Sequence, residues 1–251
     1  MIAALAERLD RAARDARPTP QLEHPLTLDQ AYDVQAANVR HRLDRGEVAV
    51  GVKMGFTSRA KMVQMGLSDL IFGRLTSGMR LEDGGTVSRA RFIHPRIEPE
   101  IAFVLSGRLS GEVSPAEALR AVGGVAPALE LIDSRYADFK FSLADVIADN
   151  TSAAGFVVGG WSDPARPFDN LGLVMEIDGV PAQIGSSAAI LGDPLRSLAA
   201  ASRLAARCGM ALEPGWIVLA GGATAAVPLA VGHHVRLAAE GLGRVQLTVV
   251  E

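Results

Sequence analysis

Residues 94–105 read His-Pro-Arg-Ile-Glu-Pro-Glu-Ile-Ala-Phe-Val-Leu, and residues 125–132 read Val-Ala-Pro-Ala-Leu-Glu-Leu-Ile. Both are apolar runs of strand length, and both hold acids in their interior. Successive side chains of a strand point to opposite faces, so Glu98 and Glu100, two residues apart, leave from one face. Glu130 lies mid-run with no cation near it in the sequence. A buried carboxylate without a partner is strongly destabilising, so something must neutralise these groups. Three carboxylates converging from two strands form a hard, all-oxygen donor set. Such a set suits Mg²⁺, Mn²⁺ or Ca²⁺ and suits Zn²⁺ poorly, since no His-x-His or Cys pair accompanies it. The plainer alternative puts Glu98 and Glu100 on a solvated sheet face and pairs Glu130 with an arginine such as Arg96 or Arg135.

Around this pair the pattern predicts further strands at 48–56, 156–158, 171–177, 216–219, 235–237 and 245–250, with a hairpin turn at Asp178-Gly179. Helical spacing covers 2–16, ended by Pro18 and Pro20, and about 27–43, stopped near Gly46. Ser58 is read as the cap of a short helix closed by Gly66. Ser114-Pro115-Ala116-Glu117 is a capping box with Pro at the first helical position, and Asp193-Pro194 opens a helix running to Gly209. Strands outnumber helices without alternating regularly with them, which predicts an α+β fold with a mixed or antiparallel sheet. Residues 1–251 are expected to form a single catalytic domain, with 1–46 a helical segment packed on it.

The 49% hydrophobic content of 251 residues supports a substantial core. With 25 Lys+Arg against 28 Asp+Glu the net charge is −3, and no basic block is long enough to track a phosphate backbone. Nucleic acid is therefore not an expected partner. No apolar run approaches the roughly 20 residues of a membrane span. The N-terminal arginines and acids interspersed with alanines do not resemble a secretory leader, so a cytoplasmic location away from membranes is expected. Cys208 is the lone cysteine, in keeping with a reducing compartment, and reads as a small core residue rather than a nucleophile.

Only three lysines, Lys53, Lys61 and Lys140, stand against twenty-two arginines. Where plain charge suffices this chain uses Arg, so a retained Lys is weighted toward roles that need a compact ammonium or a mobile proton. Lys53, in Gly51-Val-Lys-Met-Gly-Phe-Thr-Ser, is bracketed by glycines in an apolar strand. It is either an active-site ammonium or a lysine snorkelling at a strand end. Lys61 reads as a surface residue. His24 and His41 flank helices, His233-His234 sits in a turn, and His94 precedes the acidic strand. Asp149-Asn150-Thr151-Ser152 is a turn-former first, with hydroxyls able to hydrogen-bond a ligand. No G-x-S-x-G elbow, Walker loop or G-x-G-x-x-G opening a helix is present. Two Trp and two Tyr offer little platform for sugar rings, which argues against reading the paired acids as a glycosidase.

Three segments carry a family resemblance: Val52-Lys-Met-Gly-Phe-Thr-Ser-Arg-Ala-Lys-Met, His94-Pro-Arg-Ile-Glu-Pro-Glu-Ile-Ala-Phe, and Leu129-Glu-Leu-Ile-Asp-Ser-Arg-Tyr-Ala-Asp-Phe-Lys. Together with the Leu28-Asp-Gln-Ala-Tyr-Asp-Val-Gln helix they resemble the fumarylacetoacetate hydrolase superfamily, in the branch of 2-keto-4-pentenoate hydratases and 4-oxalocrotonate decarboxylases. The resemblance implies a strongly bent mixed β-sheet or β-roll with peripheral helices. It implies a metal triad on Glu98, Glu100 and Glu130 holding Mg²⁺ or Mn²⁺, and an active-site lysine at Lys53. Hydratases of this branch carry an Asp just before an aromatic-Gly pair, where this chain has Ile71 in Ile71-Phe72-Gly73-Arg74. That departure, with the Asp149-Asn150-Thr151-Ser152 wording, implies metal-dependent decarboxylation of 2-oxo-3-hexenedioate to 2-hydroxypenta-2,4-dienoate and CO₂ in aromatic meta-cleavage catabolism. The alternatives are a 2-hydroxypenta-2,4-dienoate hydratase or a non-catalytic partner subunit of one. The substrate implied is a small 2-keto dicarboxylic acid, met by an apolar pocket including Leu28 and Ile71, by Arg74 at the distal carboxylate, and by Ser152. Subunits are expected to associate, as a homo-oligomer or in a complex with a hydratase of the same pathway.

Overall fold

The two acidic runs pair with each other at the centre of the larger of two sheets. The structure, a computed structural model, describes residues 1–22, 25–58 and 69–251. Its strands are β1 (Ala49–Gly55), β2 (Ile71–Thr76), β3 (Arg80–Leu81), β4 (Thr86–Ser88), β5 (Arg96–Leu105), β6 (Val122–Ile132), β7 (Ala153–Val158), β8 (Gly172–Ile177), β9 (Val180–Ser186), β10 (Ile217–Gly222), β11 (Val227–Pro228), β12 (His234–Ala239) and β13 (Gly243–Val250). The described α-helices are α1 (Ile2–Asp15), α2 (Leu28–Asp44), α3 (Pro115–Arg120), α4 (Leu143–Ala148) and α5 (Pro194–Arg207). The larger sheet runs β2-β1-β10-β5-β6-β7-β3 with β11 beside β5, and the smaller runs β4-β13-β12-β8-β9. In the larger sheet β1 is parallel to β10 and β3 to β7, while β5 and β6 are antiparallel, so the sheet is mixed, as predicted.

Hydrophobic alternation decides which way the acids face. The odd-numbered residues Ile97, Ile101 and Phe103 of β5 and Val125, Leu129 and Leu131 of β6 join Leu173, Leu237 and Leu247 of the smaller sheet in the main core. Each such side chain contributes about 1.5–3 kcal/mol on burial. A one-residue slip would exchange the two faces and drive the acids into the main core, so the register is strongly specified. The even-numbered Glu98, Glu100 and Glu130 are thereby turned to the opposite, concave face.

That face is concave because the larger sheet curls until β2 meets the segment entering β7. The Asn150 side chain makes a two-point bond with the Arg74 backbone, accepting from its N–H at 2.8 Å and donating to its carbonyl at 2.9 Å. The Thr151 hydroxyl donates to the Phe72 carbonyl at 2.8 Å. Outside the curl, α1 and α2 bury Leu9, Ala31 and Val34 against Ile71, Tyr136 and Ile147. The Gln35 amide of α2 ties the layers together, donating to the carbonyls of Phe72 (2.9 Å) and Ile147 (3.0 Å).

The cap signals are realised: Ser114 and Glu117 form the reciprocal capping box of α3, and Asp193 accepts from the Leu195 N–H at 2.8 Å at the start of α5. Asp178 and Gly179 both take positive φ (54° and 79°) in the β8–β9 turn. Strand β2 and helix α4 carry no readable periodicity, each being six residues long. The helix expected between Ser58 and Gly66, with Lys61, lies outside the described residues, as does His24. No described helix is long and apolar enough to cross a membrane.

Candidate metal centre and active site

Glu98 and Glu130 are direct partners across the β5–β6 pair, and Glu100 faces Ala128. Like charges opposite one another on one sheet face repel. Here a ligand oxygen from each of Glu98, Glu100 and Glu130 lies within 4.8 Å of the others. Glu100 and Glu130 have no exposed surface and Glu98 keeps 9%. Lys53, projecting from β1, brings Nζ to 3.0 Å from Glu130 Oε2 and donates to the Thr151 carbonyl at 3.1 Å. No described arginine meets Glu130: Arg135 binds Asp149, and Arg96 stacks over Phe139. The solvated-face alternative fails on burial, and the arginine alternative fails on geometry.

Fully ionised, the three carboxylates carry two negative charges more than the Lys53 ammonium cancels, in a site that is almost wholly buried. Burial, the repulsion of Glu130 and Glu98, and only partial relief from Lys53 push the Glu100 carboxyl well above the usual range. Burial pushes Glu130 up to about 7, with Lys53 pulling it down and Glu98 pushing it further up. Burial works against the charge of Lys53, but Glu130, Glu98 and Glu100 outweigh it and hold the ammonium above its ordinary value. Oε1 of Glu100 and Oε1 of Glu130 are buried without any hydrogen-bond partner. Orphaned oxygens of this kind demand an explanation. A divalent ion supplies it, matching the residual charge and the all-oxygen donors.

The third wall of the centre comes from β10. Its pairing with β5 slips between Leu219 and Gly222, a bulge that frees the Gly221 N–H to donate to Glu100 Oε2 at 2.8 Å. Gly221 sits at φ 119°, and a Cβ there would fall 2.1 Å from the Thr57 hydroxyl. A Cβ on Gly222 would lie 2.5 Å from Glu98 Oε2. Because that obstacle is the end of a flexible side chain, Gly222→Ala is expected to fold and to displace the carboxylate. Divalent-ion affinity should then fall roughly ten- to a hundredfold, the range for disturbed metal surroundings. Calorimetric titration with Mg²⁺ checks this, and wild-type affinity would show that Glu98 does not need that space.

Lys53 and Glu98 line a cavity of about 350 Å³ together with Thr57, Ile71, Arg96, Phe139, Phe141 and Ser152. Asn150, Thr151 and Ser152 all have positive φ (50°, 53° and 58°), a run that non-glycine residues adopt only when the surroundings impose it. The bonds of Asn150 and Thr151 to β2 impose it here, and beneath them Arg135 holds the buried Asp149. The result aims the Thr151 carbonyl at Lys53 and brings Ser152 to the cavity, where its hydroxyl is buried and unpartnered.

Two residues expected at the substrate are not brought to this cavity. Leu28 and Arg74 line a neighbouring one of about 520 Å³ with Tyr32 and Cys208, and Ile71 forms the wall common to both. Ile71 and Arg74 are three apart on β2 and so leave from opposite faces. Leu28 opens α2 and is half exposed. Burial pushes the Cys208 thiol up. Thr57, Gly222, Arg96 and Phe139 also line the cavity and are not among the residues expected there. Arg96 alone had a sequence signal, its even-numbered place on the strand of Glu98 and Glu100.

The family model for the fumarylacetoacetate (FAA) hydrolase C-terminal region matches residues 47–250, and the chain belongs to that family. Within it, the chain is 56% identical to a 4-oxalocrotonate decarboxylase from a Pseudomonas species, over 96% of this chain and 95% of that protein. It is 35% identical to 2-keto-4-pentenoate hydratase 2 of Dechloromonas aromatica strain RCB, over 96% and 95% respectively. The structure superposes with a TM-score of 0.96 on a 4-oxalocrotonate decarboxylase from Pseudomonas putida G7 complexed with magnesium and adipate. That pair is 38% identical, covering 99% of this chain and 97% of that one.

Proposed function

We propose that this chain is a metal-dependent carboxy-lyase that converts 2-oxo-3-hexenedioate (4-oxalocrotonate) to 2-hydroxypenta-2,4-dienoate and CO₂ in aromatic meta-cleavage catabolism. The observation that carries this is the buried Glu98, Glu100 and Glu130 triad with Lys53 beside it at a substrate-sized cavity. The higher identity to a decarboxylase than to a hydratase supports it.

Held by the three glutamates, Mg²⁺ or Mn²⁺ supplies Lewis acidity toward the oxygens of a 2-keto acid. In the reaction the C5–C6 bond breaks and C6 leaves as CO₂. Its bonding pair becomes C4=C5, the C3=C4 pair moves to C2=C3, and the carbonyl pair moves onto the C2 oxygen, which takes one proton. The Lys53 ammonium has three donors; it donates to the Thr151 carbonyl and lies 3.0 Å from Glu130 Oε2 as an ion pair, which leaves donor capacity for a substrate oxygen. This compact ammonium beside Glu130 puts a donor and a positive charge toward the developing oxyanion. Ser152 offers the substrate a further hydroxyl. Ile71, Phe141 and Val146 give the cavity an apolar wall. Among the described lining residues Glu98 is the one acid, which leaves no second carboxylate to activate water as a hydratase would.

Residues 1–251 act as one catalytic unit in this proposal, with the 1–46 segment packed on it, in the cytoplasm. The product is what a 2-hydroxypenta-2,4-dienoate hydratase consumes, so association with copies of this chain or with such a hydratase belongs to the same proposal.

Assay of the isolated protein with 2-oxo-3-hexenedioate should release CO₂, lose that activity in EDTA and regain it with added Mg²⁺. Water addition to 2-hydroxypenta-2,4-dienoate without CO₂ release would replace this reading by the hydratase. Turnover of neither compound would leave a non-catalytic partner.

A further inference from the structure

We infer that Arg96 recognises the second carboxylate of the substrate and makes the site selective for dicarboxylates, an inference that rests on the decarboxylase reading of the same site. Residues 96, 98 and 100 of β5 share a face, so Arg96 emerges beside the metal-ligand glutamates, one two-residue step of roughly 6.6 Å beyond Glu98. That step is comparable to the span of a six-carbon diacid. Arg96 and Lys53 are the two cationic side chains among the described residues lining the cavity. Arg42, Arg45, Arg135, Arg203 and Arg236 each have a carboxylate partner, whereas no carboxylate among the described residues lies within ion-pair distance of Arg96.

The guanidinium is nevertheless held in place. Its central carbon sits 4.4 Å from the centroid of the Phe139 ring, and that ring packs edge-on against His94 at 5.3 Å. Asp138 and Phe139 both take positive φ (57° and 56°), a conformation costly for a bulky residue. This backbone places an aromatic face under a cation at the cavity wall, leaving the N–H fork of Arg96 for a carboxylate. A 2-keto diacid with its keto end toward Glu98, Glu100 and Glu130 would place its far carboxylate at Arg96.

The far carboxylate is the group lost as CO₂, so its charge fades as the C5–C6 bond breaks. An Arg96 contact is therefore stronger in the ground state than in the transition state. It lowers KM without raising kcat.

The test compares calorimetric binding of adipate and hexanoate to the Mg²⁺-loaded protein. Wild type should prefer adipate, and Arg96→Gln should lose about ten- to a hundredfold of that preference, as expected for a lost charge-assisted hydrogen bond, with Mg²⁺ affinity unchanged. With 2-oxo-3-hexenedioate as substrate the KM should rise while kcat holds or increases, because a contact that weakens toward the transition state opposes the chemical step. Arg96→Lys, which keeps the charge but not the fork, should be intermediate, and it carries the test if the Gln variant does not fold. Wild-type adipate preference in the variants, or a fall in kcat at constant KM, would overturn the assignment. If wild type releases no CO₂ while Arg96→Gln still loses the adipate preference, the recognition role stands and the decarboxylase reading falls.

Discussion

Lys53→Met is expected to lower kcat by about 10²–10³-fold, the cost of removing one preorganised donor from a site where negative charge develops. The methionine stem fills the space of the lysine, and the side chain it replaces is 4% exposed, so the fold should persist. Two interactions vanish with the ammonium, those to Glu130 and to the Thr151 carbonyl. Glu130 then faces Glu98 without a counter-charge, which favours binding a cation there rather than opposing it. Divalent-ion affinity should accordingly not weaken, and this separates the variant from a damaged metal centre. Steady-state kinetics on the Mg²⁺-loaded protein, with a metal titration alongside, make the measurement. An unaltered kcat would remove Lys53 from the chemistry.

Glu100→Gln should abolish activity while leaving the metal-free protein as stable as wild type or more so. The residue has no exposed surface, and its carboxyl is held well above the usual range by burial and by Glu130 and Glu98. In the absence of metal the ionised form is already disfavoured, so replacing it with a neutral amide relieves repulsion and keeps an oxygen to accept from Gly221 N–H. What the amide cannot supply is the anionic ligand. For wild type, Mg²⁺ at a hundred times its Kd should stabilise the fold by about 2.7 kcal/mol, raising Tm by about 5–10 °C for a chain of this size. The variant should show almost none of that rise. Thermal denaturation with and without Mg²⁺ reads this directly, and a full metal-dependent increase in the variant would place the ion elsewhere.

The candidate metal ligands are readable in the sequence because they break a local rule. Glu98 and Glu100 share a face by strand period, and Glu130 interrupts an apolar run, so each acid stands out against its nearest neighbours. The capping residues Ser114, Glu117 and Asp193 were readable for the same reason, since a cap is satisfied within three residues. Arg74 and Leu28 line the neighbouring cavity, and chain neighbourhood says nothing about which side of the β2 edge a side chain reaches. The left-handed run at Asn150, Thr151 and Ser152 had no local signal, because its conformation is imposed by hydrogen bonds to Arg74 and Phe72, more than seventy residues away.

By itself the sequence determined that Glu98 and Glu100 share a strand face and that these acids, if they converge, suit a hard divalent ion, since side-chain alternation and the cost of burying charge act over a few residues. That Glu130 stands opposite Glu98 came from the strand register. The tertiary structure alone decided that Lys53 answers Glu130, that a bulge at Gly221 closes the centre, and that Arg96 rather than Arg74 reaches the cavity. Those outcomes depend on how far the large sheet curls, and the curl is set by contacts between segments that the chain order keeps apart.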